Sequence, residues 1–204
     1  IIKLNNNGVK NATAFGSITG LGSMTFIKKL TASGSSTLSF VDGASGVVLD
    51  DTYKEYVFTF NNLHPSNNSS DLKFQTSTNT GSSYGVTVTT TSFIVYNNES
   101  TGDNGLTYNG GHDLAQSTDF IQLSQDIGNE NDECVGGTLN LFNPSSTTFV
   151  KHFLSRCNNA HDSNYSMGDF SAGYFNTTSA VDAIQFKMSA GTIDSGDICL
   201  YGIA

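Results

Sequence analysis

Between Asp182 and Met188 the side chains alternate strictly. Asp182, Ile184, Phe186 and Met188 fall on one side of an extended chain, and Ala183, Gln185, Lys187 and Ser189 fall on the other. A period of two is the signature of a half-buried β-strand and excludes a helix, whose apolar positions recur every 3.6 residues. The run ends at Ser189-Ala190-Gly191, small residues with a glycine free to take positive φ. A further apolar segment, Ile198-Cys199-Leu200-Tyr201, then approaches the end of the sequence. These residues predict a terminal β-hairpin turning at Gly191, central to a sheet.

The same period recurs along the chain. Met24, Phe26, Lys28 and Leu30 form one side of a strand predicted over residues 22–32, and residues 35–41 form a second. Tyr56, Phe58 and Phe60 line one face of a strand over residues 51–60. Further strands are predicted over 72–76, 84–96, 136–142, 147–155 and 167–176. Residues 117–124 fit either a strand or a single helical turn. Residues 61–70, 97–111, 125–133 and 157–163 read as loops, from their Asn, Ser, Gly and Asp content. Many short strands with no long amphipathic helix predict an all-β, antiparallel β-sandwich of jelly-roll type. The expected layout is an N-terminal arm or edge segment over residues 1–21 and one sandwich domain over 22–204. A chain of 204 residues suits one such domain.

Composition narrows the function classes. Charged residues make up 13% of the chain, against a usual value of about 25%, and the formal net charge is −9. That balance repels phosphate backbones and offers no polybasic route to an anionic membrane, so neither nucleic acid nor membrane is an expected partner. Three cysteines leave one unpaired in any arrangement, and they read as free thiols, with one disulfide still possible.

No motif assembles a reaction. No serine sits in a G-x-S-x-G elbow, and no HExxH, phosphate-binding loop or dinucleotide fingerprint occurs, so neither an enzyme nor a cofactor is expected. His152, Cys157, His161 and Cys134 could be sketched as a zinc site, but an odd offset along a strand puts His152 and Cys157 on opposite faces, and only a strand end at Ser155 would let them meet. The acidic segment Asp126 to Glu133 and the Asp42 and Asp50-Asp51 region carry oxygen ligands suited to Ca²⁺, without the alternating order of a calcium loop. Both read as solvated loops. Four tyrosines, Tyr84, Tyr96, Tyr108 and Tyr165, are candidates for stacking against a glycan.

Four segments resemble a recurring pattern in virion proteins of marine tailed bacteriophages, cyanophages included. They are residues 51–58 (DTYKEYVF), 137–153 (GTLNLFNPSSTTFVKHF), 173–186 (GYFNTTSAVDAIQF) and 191–203 (GTIDSGDICLYGI). The resemblance implies a non-enzymatic structural protein of the virion, assembled in the cytoplasm of a bacterial host. A capsid decoration or cement subunit is the preferred role, with a tail-tip or head-surface adhesion module that binds host glycans as the alternative. The implied partners are further copies of the chain, with a trimer favoured, and the major capsid or tail proteins. No catalytic or metal-binding residue transfers from it.

Overall fold

A computed structural model describes residues 24–100 and 102–204. The arm expected over residues 1–21 lies outside the described residues. Twelve strands and no helix are found among those described: β1 (Met24–Thr31), β2 (Leu38–Val41), β3 (Glu55–Pro65), β4 (Ser70–Ser77), β5 (Val88–Asn98), β6 (Asn104–Tyr108), β7 (Ile121–Ile127), β8 (Val135–Phe142), β9 (Lys151–His161), β10 (Tyr165–Phe175), β11 (Ala183–Met188) and β12 (Ile193–Ile203). The protein is all-β, and every pairing is antiparallel. One path runs β1-β12-β3-β8-β9-β7-β4-β11-β2, and β10, β5 and β6 extend from the other side of β9. The sheet is nearly closed and barrel-like. Its β9–β7 junction is a single residue pair, Ile127 with His161.

Phenylalanines fill the space enclosed. Phe186 on β11 meets Phe58 and Phe60 of β3 at ring-centroid distances of 5.5 and 5.4 Å. Phe74 on β4 meets Phe153 of β9 at 5.2 Å. Tyr56, Phe58 and Phe60 share the inward face of β3, as their alternation predicts, and all three are buried. Burying each such ring contributes a few kcal/mol, about 1.5–3, so this cluster is the main adhesive between the two sides.

The terminal hairpin does not form. β11 pairs with β4 and β2, whereas β12 pairs with β1 and β3. Residues 189–192 instead arch from one side of the core to the other. Their backbone groups bind the β3–β4 loop and the start of β4: Ser66 N–H donates to Thr192 O at 3.0 Å, and Ser189 N–H to Asp71 O at 2.8 Å. Gly191 does take the positive φ expected of it, +69°. Period-two patterning fixes which face of each strand is buried but is silent about its partner, and Ile184 and Phe186 bury equally well from either arrangement.

Several boundaries also differ from the sequence reading. β6 lies inside the stretch read as loop over 97–111, and β7 continues to Ile127 through residues read as an acidic loop. β9 continues through Cys157 to His161, where a loop was expected. In β7 and β9 polar residues occupy strand positions because tertiary neighbours satisfy them. Asn159, for example, is buried and its side-chain amide donates to Gln125 O at 3.0 Å. β1 carries a bulge between Phe26 and Lys28. Ile27 and Leu30 consequently pack on the core, while Met24 and Phe26 are turned outward.

Candidate functional site

β9 alternates without interruption over its first nine residues. Lys151, Phe153, Ser155, Cys157 and Asn159 are buried, and His152, Leu154, Arg156 and Asn158 are exposed. The register carries that alternation across the neighbouring strands. Arg156 lies opposite Phe170 of β10, Phe170 opposite Phe93 of β5, and Phe93 opposite Tyr108 of β6. One row beyond, Leu154 is opposite Ala172 and Ala172 opposite Thr91. The outer surface of these strands therefore gathers Leu154, Phe170, Ala172, Phe93 and Tyr108 among Thr, Asn and Ser side chains, with Arg156 as the cation between them.

Phe93 and Phe170 stack with centroids 4.6 Å apart and planes 4° from parallel, and the Arg156 guanidinium sits 5.4 Å from the Phe170 centroid on the facing row. Cation–π and offset ring contacts of this kind contribute about 0.5–1.5 kcal/mol each. Beside the stack lies a depression of about 290 Å³ lined by Leu154, Phe93, Phe170, Arg156, Thr138 and Asn140, among others. Two more depressions adjoin it along the same strands. None of the residues lining the three carries a carboxylate. Arg156 is the sole arginine of the chain, and no carboxylate among the described residues pairs with it. Further along the outer surface, Met24 and Phe26 of β1 are exposed, and Phe26 packs edge-on against Tyr201 at 5.6 Å.

Beneath this face lies a polar layer. Asp169, on the inner side of β10, is 4% exposed. Its carboxylate accepts a hydrogen bond from Ser124 Oγ at 3.0 Å, and the Gln125 N–H donates to it as well. Burial pushes its pKa up to about 7, against the smaller lowering effect of those two donors. Ser171 Oγ donates to Gln122 O at 3.1 Å. The Cys157 thiol, opposite Asp169 in the register, is pushed up to about 12 by burial, which makes it an unreactive neutral group.

The four stacking tyrosines separate into three places. Tyr96 and Tyr165 come together, with ring centroids 5.9 Å apart in an edge arrangement, and His161 packs 5.5 Å from Tyr165. Tyr165 Oη donates to Asp103 Oδ2 at 2.6 Å, and that bond raises the phenol pKa. With Ile94 and Met167 these side chains line a shallow depression of about 230 Å³. Tyr108 belongs to the apolar face, where its hydroxyl donates to Asp113 Oδ2 at 2.5 Å. Tyr84 lies apart, beside Ser83, Thr87 and Asn176.

The ligand sets sketched for metals have other uses. His152 and Cys157 point to opposite sides of β9, as the odd offset requires. Asp42 Oδ1 accepts from Leu49 N–H and Asp50 Oδ1 from Thr52 N–H, both at 2.8 Å, so these carboxylates cap their own loop. Glu133 Oε2 accepts from Glu130 N–H at 2.6 Å in the same way. All three cysteines are free thiols.

Sequence reasoning missed the Arg156-Phe170-Phe93-Tyr108 row. Its only linear signals are the uniqueness of Arg156 and a period-two run through residues 151–159, and neither reveals which strands lie alongside. Comparison with known proteins gives no match: no family model, no curated protein and no solved structure aligns with the chain.

Proposed function

We propose that this chain is a non-enzymatic structural protein of a bacteriophage virion, most specifically a capsid decoration or cement subunit that works as a homo-oligomer, with a trimer favoured. The supporting observation is the outer surface running from Met24 and Phe26 to Leu154, Phe93, Leu106 and Tyr108, whose large apolar side chains remain open to solvent. Soluble monomers rarely leave a contiguous apolar patch larger than a few hundred Å², and larger ones mark contact with other macromolecules. A decoration subunit must touch both its sister copies and the shell, and contact area is its whole function. The phage-like segments at residues 51–58, 137–153, 173–186 and 191–203 supply the class of particle. In this reading the fold is a jelly-roll variant whose two sides, meeting at Phe58–Phe186 and Phe74–Phe153, are the layers of a sandwich.

The test is to add purified protein to shells that lack it and to reconstruct the particles. Regularly placed density on the capsid lattice is the expected result. Density on the tail alone, or none, overturns the decoration reading.

A second reading, adhesion to host glycans, is favoured by the Tyr96, Tyr165, His161 and Asp103 depression, which combines ring surface with a carboxylate. A glycan array should then show binders that the Tyr165→Ala variant loses. An array with no signal above background removes this reading.

A further inference from the structure

We infer that the face built from β8, β9, β10, β5 and β6 is the contact between copies of this chain, and that it is heterologous: it meets a different, acidic surface of the next copy. The inference rests on the oligomeric part of the reading above and names its surface and geometry.

The area is adequate for such a contact. Leu154, Phe93, Leu106 and Tyr108 are 53%, 41%, 72% and 59% exposed. At roughly 200 Å² for a whole aromatic side chain, Phe93 and Tyr108 alone leave about 200 Å² open, to which the two leucines add. A stable interface buries about 800 Å² per partner, the remainder coming from the surrounding Thr, Asn and Gly atoms. The rings are also presented for packing. Arg156 and Phe93 flank Phe170 on its two neighbouring strands, so that ring offers its edge beside a neighbouring hollow. A sugar ring stacks on an aromatic face, whereas an apolar protein side chain fits a hollow.

Charge selects the occupant and the symmetry. The chain has a net charge of −9 and 18 acidic residues, yet none lines the three depressions, and its one arginine stands among them without a carboxylate. A two-fold contact centred here would bring two guanidinium groups together as water is expelled, with no counter-charge for either. Turning the face against another part of the same acidic protein gives Arg156 a carboxylate instead. Contacts between unlike surfaces build rings where the rotation closes and open filaments where it does not, and in both cases the assembly passes two copies.

Sedimentation velocity on the full chain tests this. At about 100 µM the wild type should sediment as an oligomer of three or more copies. Leu154→Asp and Arg156→Glu should each weaken assembly at least about tenfold. Arg156→Met should weaken it too, while removing most of the loss that wild type shows on raising salt. Both altered side chains are exposed, and an unchanged thermal midpoint of the monomer establishes that each variant folds. Should Leu154→Asp disrupt the fold, the two Arg156 variants decide the matter. A monomeric wild type overturns the inference, as does an oligomer indifferent to these substitutions. A two-copy assembly that they dissolve overturns its heterologous geometry. Shell addition separates this outcome from the virion reading: a monomer that decorates shells removes the interface alone, and an oligomer that ignores shells removes the decoration role alone.

Discussion

Asp169 holds a carboxyl group between packed strands with only the Ser124 hydroxyl and the Gln125 N–H to support its charge. A folded pKa of about 7, above the ordinary value of 3.8, means that the folded state favours the protonated form. The cost of ionising it is therefore absent below pH 4 and fully developed above pH 7, so stability falls as pH rises through that window. The full span is on the order of 4 kcal/mol, from about 1.4 kcal/mol per unit. Asp169→Asn should leave the thermal midpoint near that of wild type at pH 4 and raise it at pH 8. A midpoint difference that stays constant with pH would sink this assignment. Gly196 is the second residue whose chemistry is dictated locally. It takes φ +105° in the bulged part of β12, and a Cβ there would collide with the Asn62 carbonyl. Gly196→Ala should destabilise the protein by about 1–3 kcal/mol, measured by urea unfolding, because it adds backbone strain to a clash with fixed main chain.

At the scale of elements, partners decide how firmly each strand is held. β12 lies between β1 and β3, with Ile193, Ile198 and Leu200 buried. β6 pairs with β5 alone, and none of its five residues is buried. Local opening costs least where few apolar contacts are lost, so amides of β6 should exchange with solvent much faster than those of β12. Hydrogen exchange read strand by strand checks this, and equal protection in the isolated chain would contradict it. If β6 becomes protected only at concentrations where the chain assembles, that protection maps the interface inferred above. The β11–β12 arch belongs to this scale as well. Its alternation was legible, and so was its glycine turn. Its crossing from one side of the core to the other was not, because pairing depends on Ser66, Asp71 and the Phe58–Phe186 contact, all distant in sequence.

For the molecule as a whole, burial controls chemistry as well as stability. Cys157 and Cys199 are buried and Cys134 is partly exposed, and burial raises the Cys134 thiol pKa too. A thiol reagent should therefore label the native protein slowly and at Cys134 first, with all three reacting once it is unfolded. Mass spectrometry of the labelled chain reads the order, and early labelling at Cys157 would contradict the packing described. The acidic balance keeps separate molecules apart in solution. The apolar face around Leu154 works against that repulsion, and salt dependence of assembly measures which one dominates.

The sequence by itself determined the all-β class, the inward faces of β3 and β11, and the positive φ of Gly191, since period-two patterning and glycine's missing Cβ act within a few residues. It did not separate His152 from Cys157, which the continuation of β9 to His161 puts on opposite sides. Only the tertiary structure decided which strands are neighbours, that β6 exists, that Tyr96 and Tyr165 meet while Tyr84 and Tyr108 stand apart, and that Arg156, Phe170, Phe93 and Tyr108 form one row. Those outcomes depend on long-range register, and register is set by how buried rings from remote segments fill one shared core.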